Sequence, residues 1–138
     1  GGAPESIEEP KGGSVEFRGS FTSLCDPTVE CDAYLANDVL ATLTCSGQGG
    51  ESCTLALSGL DGYWSPLPPL TRTSPVTFFG EGLNLCDRPV TVAVDLVGTA
   101  LRMEQIGQSN PAARCYSGTN TFEGEFVTGT LSGWSPSP

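Results

Sequence analysis

Apolar and polar residues alternate along much of this chain with a period of two. In segment 15–21, Val15, Phe17 and Phe21 share one face, whereas Glu16 and Arg18 take the other. Successive side chains of a β-strand point to opposite faces, so this pattern predicts a strand with one buried face. Comparable segments are 39–45, 53–58, 75–79, 90–97, 100–106, 113–117 and 121–131. The long 3.6-residue period of helices is absent, and the chain is predicted to be all-β.

About eight strands with irregular connections favour a two-sheet antiparallel sandwich or a jelly roll over a small barrel. The predicted single domain spans residues 14–134. Residues 1–13 contain Gly, Pro and Glu with one large apolar side chain, so they are expected to form a flexible leader. Residues 135–138 are expected to be a tail or a linker.

Segments 39–45 and 53–58 predict a hairpin with a defined register. If Cys45 lies opposite Cys53, then Leu43 lies opposite Leu55 and Ala41 opposite Leu57, all on one face. A disulfide needs Cα atoms about 4.4–6.8 Å apart, which opposed residues provide. A slip of one residue would break both the bond and the apolar pattern. We therefore expect a Cys45–Cys53 disulfide.

The six cysteines predict three disulfides in total. Cys25–Cys31 would close a short acidic loop, and Cys86–Cys115 follows by elimination. No two cysteines have the C-x-x-C spacing of structural zinc sites. Disulfides persist in oxidising compartments, so the protein is expected to be secreted: extracellular, periplasmic or at the cell surface.

Two further patterns concern pairing. Segments 90–97 and 100–106 predict a second hairpin that turns at Gly98-Thr99, because Gly-X suits a type II′ turn. The motif Phe-x-Gly-x-Phe occurs at 17–21 and again at 122–126. Such a repeat predicts that the two terminal strands pair and share a layer of the core. The alternative is a ligand-binding groove whose base is formed by the glycine backbone.

The net charge of −10 arises from 16 acidic and six basic residues. Nucleic acids and anionic lipid surfaces are bound chiefly by Lys and Arg, so the charge disfavours both as partners. No apolar stretch is long enough for a transmembrane segment.

Candidate catalytic groups are few. The chain has no histidine, which excludes Ser-His-Asp and Cys-His nucleophiles and histidine-bound zinc. Paired carboxylates could support glycoside hydrolysis. The candidates Asp95, Glu104, Glu123 and Glu125 nevertheless fall on the polar side of predicted strands. The sequence therefore predicts a non-catalytic protein without an organic cofactor.

Calcium is the one cofactor that the sequence suggests. Oxygen-bearing side chains are concentrated in segment 26–38, and Ca²⁺ is bound by six to eight oxygen ligands from flexible segments. The alternative is an ordinary solvated acidic loop. The candidate ligands are Asp26, Glu30, Asp32 and Asp38.

Aromatic residues supply the candidate binding surface. Tyr63 and Trp64 precede a proline-rich stretch that ends at Leu70, and prolines stiffen such a segment before it binds. Rigid aromatic side chains are good anchors for proteins and for sugar rings. Tyr116 and Trp134 are further candidates. The alternative for the tryptophans is that they cover an end of the domain.

Three functions remain compatible with these features. The first is a non-catalytic recognition or adhesion module that binds a glycan or a protein through segment 61–70. The second is a structural subunit of an extracellular filament, coat or appendage, in which the leader adds a strand to another copy of the chain. The third is a protease inhibitor that presents the stapled loop 25–31.

Overall fold

The computed structural model describes residues 12–25, 33–46, 50–60, 67–83, 87–107 and 118–136. They form eight antiparallel strands, each hydrogen-bonded to the next in sequence, and β8 pairs with β1 to close a barrel. The all-β prediction is confirmed. The strands are β1 (Gly13–Cys25), β2 (Tyr34–Ser46), β3 (Ser52–Ser58), β4 (Leu70–Ser74), β5 (Thr77–Leu83), β6 (Pro89–Val97), β7 (Ala100–Ile106) and β8 (Gly118–Leu131).

The closed barrel replaces the predicted sandwich or jelly roll, which was wrong. β1 and β8 pair along their length, from Gly13 opposite Leu131 to Cys25 opposite Gly118. Because this pairing joins the first strand to the last, the sheet closes on itself instead of splitting in two. Alternation along a strand is the same in both architectures, so the residue pattern alone did not distinguish them.

The strand assignment also differs from the prediction at β4 and at the start of β5. β4 was not predicted, because Pro68 and Pro69 directly precede it and its five residues carry only one large apolar side chain. The predicted segment 113–117 lies outside the described residues. Segment 75–79 begins with the turn at Pro75 and Val76, so β5 starts later, at Thr77.

The interior of the barrel is filled by side chains from all eight strands. Its largest fully buried members are Phe17, Phe21, Phe78 and Phe122. An eight-stranded barrel is just wide enough for side chains to fill, or for one small ligand. Tight apolar packing therefore fills the middle of the barrel, and the two cavities described below open at its ends.

The repeated Phe-x-Gly-x-Phe motif joins the terminal strands. Phe17 lies opposite Phe126, Gly19 opposite Gly124 and Phe21 opposite Phe122. A Cβ atom on Gly19 would clash with the carbonyl oxygen of Glu123, so this glycine permits the close approach of β1 and β8. The predicted pairing of terminal strands is confirmed.

Both predicted hairpin registers are confirmed. Cys45 lies opposite Cys53 and Leu43 opposite Leu55. In the second hairpin Val94 lies opposite Met103. Gly98 has a φ of 61°, which suits the first central position of a type II′ turn.

The barrel has two unlike ends. Connections 26–33, 59–69, 84–88 and 107–117 join strands at one end, here called the loop end. Connections 47–51, 75–76 and 98–99 join strands at the other, here called the hairpin end.

The described residues form no helix that could cross a membrane.

Candidate functional site

Three polar side chains lie inside the barrel near its loop end. Ser23 of β1 is opposite Asn120 of β8, and Asn120 is opposite Gln105 of β7. Their exposed fractions are 0%, 1% and 3%. The three residues, here called the polar row, therefore occupy one level across three adjacent strands, where the pattern of the strands would place apolar side chains.

Hydrogen bonding within the polar row is incomplete among the described residues. The Asn120 side-chain amide donates to Gln105 Oε1 over 3.0 Å. Ser23 Oγ and Asn120 Oδ1 are buried and have no hydrogen-bond partner there. An unpaired buried polar group costs roughly 1–3 kcal/mol, so these two atoms lower the stability of the barrel unless they are paired outside the described residues.

A cavity of about 210 Å³ opens beside the polar row. Gln105 and Glu81 are its polar lining residues, and the others are proline, glycine, leucine and valine. Segment 67–69 lies against β5 but does not extend β4, because proline has no N–H group to donate. The packing there is close: a Cβ atom on Gly82 would lie 3.0 Å from Pro68 Cβ. The lining residues include Pro68, Pro69, Gly82, Leu83, Val90 and Gln105.

Large apolar side chains project outward around the loop end. They lie at or near the ends of β1, β2, β5 and β7, and each is more than half exposed. These residues, here called the apolar rim, are Leu24, Leu35, Leu83 and Ile106. Other exposed apolar side chains, such as Val97 and Val127, lie elsewhere on the outer wall.

The predicted aromatic residues do not form one group. Tyr63, Trp64 and Tyr116 lie outside the described residues, in connections that join strands at the loop end. Trp134 follows β8 at the hairpin end. Its ring centroid is 5.8 Å from that of Phe17 and 5.9 Å from that of Phe126. Trp134 is therefore half-buried against the core at the hairpin end.

The candidate calcium ligands fall mostly outside the described residues, which exclude Asp26, Glu30 and Asp32. Asp38 is exposed and has a φ of 61°, and it lies at the register shift in the antiparallel pairing of β2 with β1. In the described part of the chain, no three acidic, cysteine or histidine side chains are grouped as a metal site. Calcium binding stays a prediction.

One predicted disulfide is present, between Cys45 and Cys53. Both half-cystines are buried and form part of the core. Cys31, Cys86 and Cys115 lie outside the described residues, so the pairs Cys25–Cys31 and Cys86–Cys115 stay predictions. The backbone of Cys25 ends β1 at the loop end.

The candidate catalytic carboxylates are on the outer wall of the barrel. Asp95, Glu104, Glu123 and Glu125 are all exposed. Glu123 forms an ion pair with Arg102 over 3.4 Å, and Glu125 accepts a hydrogen bond from the Thr99 hydroxyl over 2.6 Å. None of the four lines either cavity described in this structure.

Sequence reasoning missed the polar row, although a signal was present. Ser23 follows Phe21 by two residues, Gln105 follows Met103 by two, and Asn120 precedes Phe122 by two. Each polar residue thus continues the inward-facing series of its strand. The sequence did not reveal that three such interruptions would meet at one level.

No family model matches the chain, and no curated protein is similar to it.

Proposed function

We propose that this protein is a non-catalytic, secreted recognition or adhesion module that binds a glycan or a protein at its loop end. The supporting observation is the convergence of features there. The three longest connections, 26–33, 59–69 and 107–117, join strands at this end. The polar row and the apolar rim lie at the same end of the closed barrel.

The aromatic residues of these connections are the proposed anchors. By sequence, Tyr63 and Trp64 belong to the β3–β4 connection and Tyr116 to the β7–β8 connection. Binding residues are often carried by loops on a rigid scaffold. Aromatic rings provide the contact area, and Gln105, the member of the polar row that lines the loop-end cavity, provides a directional hydrogen bond.

Secretion and the lack of catalysis are supported by the chemistry of the chain. The Cys45–Cys53 disulfide is typical of an oxidising compartment. The absence of histidine removes the usual general base, and the single lysine, Lys11, precedes the barrel. Binding is thus a better proposal than turnover.

Retention on a glycan array and on immobilised extracellular-matrix proteins would test this proposal. Trp64→Ala and Tyr116→Ala should each reduce retention at least tenfold, because hot-spot aromatics contribute roughly 2 kcal/mol or more. Phe79→Ala is the matched control, since Phe79 is an exposed aromatic residue on the outer wall of β5. Unchanged retention in both loop variants would refute a binding surface at the loop end.

A structural subunit is the second candidate, and one observation favours it. The β3–β4 ladder consists of two residue pairs, Ser52–Thr71 and Cys53–Leu70. Residues 54–58 of β3 therefore have no described strand beside them on that edge, and such an edge can accept a strand from another copy.

Sedimentation velocity over a range of protein concentrations tests this second candidate. Assembly that increases with concentration and disappears on deletion of residues 1–11, which precede the described part of the barrel, would support strand addition by the leader. A monomer at all concentrations, with or without the leader, would argue against it.

A further inference from the structure

A second cavity, of about 460 Å³, opens at the hairpin end. It lies between β4, the β4–β5 turn and the turn that follows β8. Its lining differs from that of the loop-end cavity because it contains a guanidinium group and several hydroxyl groups. The lining residues include Glu51, Arg72, Ser74, Pro75, Ser132 and Gly133.

Arg72 is the central group of this cavity. Its guanidinium lies over the Phe78 ring, 5.5 Å from the ring centroid, and Nη2 donates to the Pro75 carbonyl oxygen over 2.8 Å. Nε is buried without a hydrogen-bond partner, and Arg72 forms no ion pair with any described carboxylate. Partial burial lowers the pKa of this guanidinium, which nonetheless stays charged at neutral pH. The cation is therefore held by these two contacts and has no counterion among the described residues.

Ser74 supplies a second donor beside Arg72. Its Oγ accepts a hydrogen bond from the Val76 N–H over 3.2 Å and another from the Thr77 hydroxyl over 2.7 Å. A hydroxyl oxygen has two lone pairs and one proton, so both acceptor positions of Ser74 are used. Its proton remains available for donation to a group in the cavity, and the bond from Thr77 polarises it further.

We propose that this cavity binds the carboxylate of a small monoanionic ligand, with Arg72 and Ser74 as its donors. A guanidinium fork matches the planar geometry of a carboxylate. Glu51 on the same wall and the chain's net charge of −10 oppose ligands with two or more negative charges. The site thus favours acetate-like groups over sulfate or phosphate.

Titration of the ¹⁵N-labelled chain with sodium acetate, at constant ionic strength, tests the proposal. The Arg72 Nε–H resonance should shift saturably with acetate and much less with sulfate. Arg72→Gln should weaken acetate binding at least about tenfold, the scale of a hydrogen bond to a charged group. In the variants, backbone amides of residues 72–75 report binding.

Two variants separate a binding role from a structural one, should Arg72→Gln fail to fold. Ser74→Ala should weaken acetate binding severalfold, whereas Glu51→Gln should strengthen it because a repelling charge is removed. Arg102→Gln is the matched control. It removes the same charge from an exposed ion pair on the outer wall and should leave affinity within twofold.

The source of the carboxylate can be distinguished with N-acetylalanine and its amide. Tighter binding of N-acetylalanine than of acetate would indicate a polypeptide C-terminus, and equal binding a small organic acid. Three results would overturn the proposal: no saturable shift with acetate, equal affinity for sulfate, or the same loss of binding in Arg102→Gln. These results do not depend on ligand binding at the loop end.

Discussion

At the scale of single residues, the polar row is the main exception to the apolar interior of the barrel. Ser23, Gln105 and Asn120 occupy inward positions that apolar residues hold elsewhere in the barrel. Only one hydrogen bond, from Asn120 to Gln105, links them. Apolar side chains could fill the same positions without the cost of desolvating a polar group, so the row needs a physical explanation, either ordered water or a functional role.

Replacing Ser23 by alanine should therefore raise the free energy of unfolding by about 1 kcal/mol, because it removes a buried hydroxyl without a described partner. Urea denaturation followed by tryptophan fluorescence measures this change. Ser20→Ala, on the outer side of the same strand, should change stability by less than about 0.5 kcal/mol. A loss of stability in Ser23→Ala would mean that the hydroxyl is hydrogen-bonded in the native protein.

At the scale of elements, the pairing of β1 with β8 decides the architecture. Gly19 and Gly124 lie opposite each other, where both strands face the interior with no side chain. A Cβ atom on Gly124 would lie 2.6 Å from Phe122 Cζ, so the phenylalanine ring occupies the space that the glycine leaves. The motif therefore combines two large rings with the close backbone approach that closes the barrel.

Gly19→Ala should destabilise the protein by about 1–3 kcal/mol through overpacking between β1 and β8. Gly98→Ala is the matched control: its Cβ would meet no atom within 4 Å, and its cost arises from the φ of 61°. Backbone amide shifts should change at Glu123 and Gly124 in the first variant, and only around the β6–β7 turn in the second. No change in β8 on Gly19→Ala would contradict a close contact there.

At the scale of the whole molecule, the barrel is closed unevenly. β1 pairs with β8 over the full length of β1, whereas the β3–β4 ladder contains only two residue pairs. The prolines at 68 and 69 explain this difference, since they cannot donate to a ladder. The β3–β4 boundary is thus the weakest part of the wall.

Hydrogen exchange measured by mass spectrometry should reflect this unevenness. Peptides covering β4 should exchange much faster than peptides covering β1 or β8. The reason is that local opening occurs most easily where two strands share the fewest hydrogen bonds, which here is between β3 and β4. Peptides of the β6–β7 hairpin, which pairs on both sides, serve as the internal reference. Equal protection of β4 and β1 would show that the wall opens only by global unfolding.

Local pairing was largely predictable from the sequence. The β2–β3 register followed from Cys45 and Cys53 together with the alternation around them, and Gly98 marked the β6–β7 turn. These features depend on residues close together in the chain, where few arrangements satisfy the apolar pattern. The candidate site was less predictable: the loop aromatics were named, but the polar row and the Arg72 cavity were not.

The sequence by itself determined that this chain forms antiparallel strands with one apolar face, because alternation is a property of each strand alone. Only the tertiary structure decided that the strands close into a barrel, since closure depends on β1 meeting β8 over a hundred residues away. It alone also brought Ser23 beside Asn120, and Arg72 beside the turn after β8. Contacts between distant strands depend on the curvature and stagger of the whole sheet, which no single segment encodes.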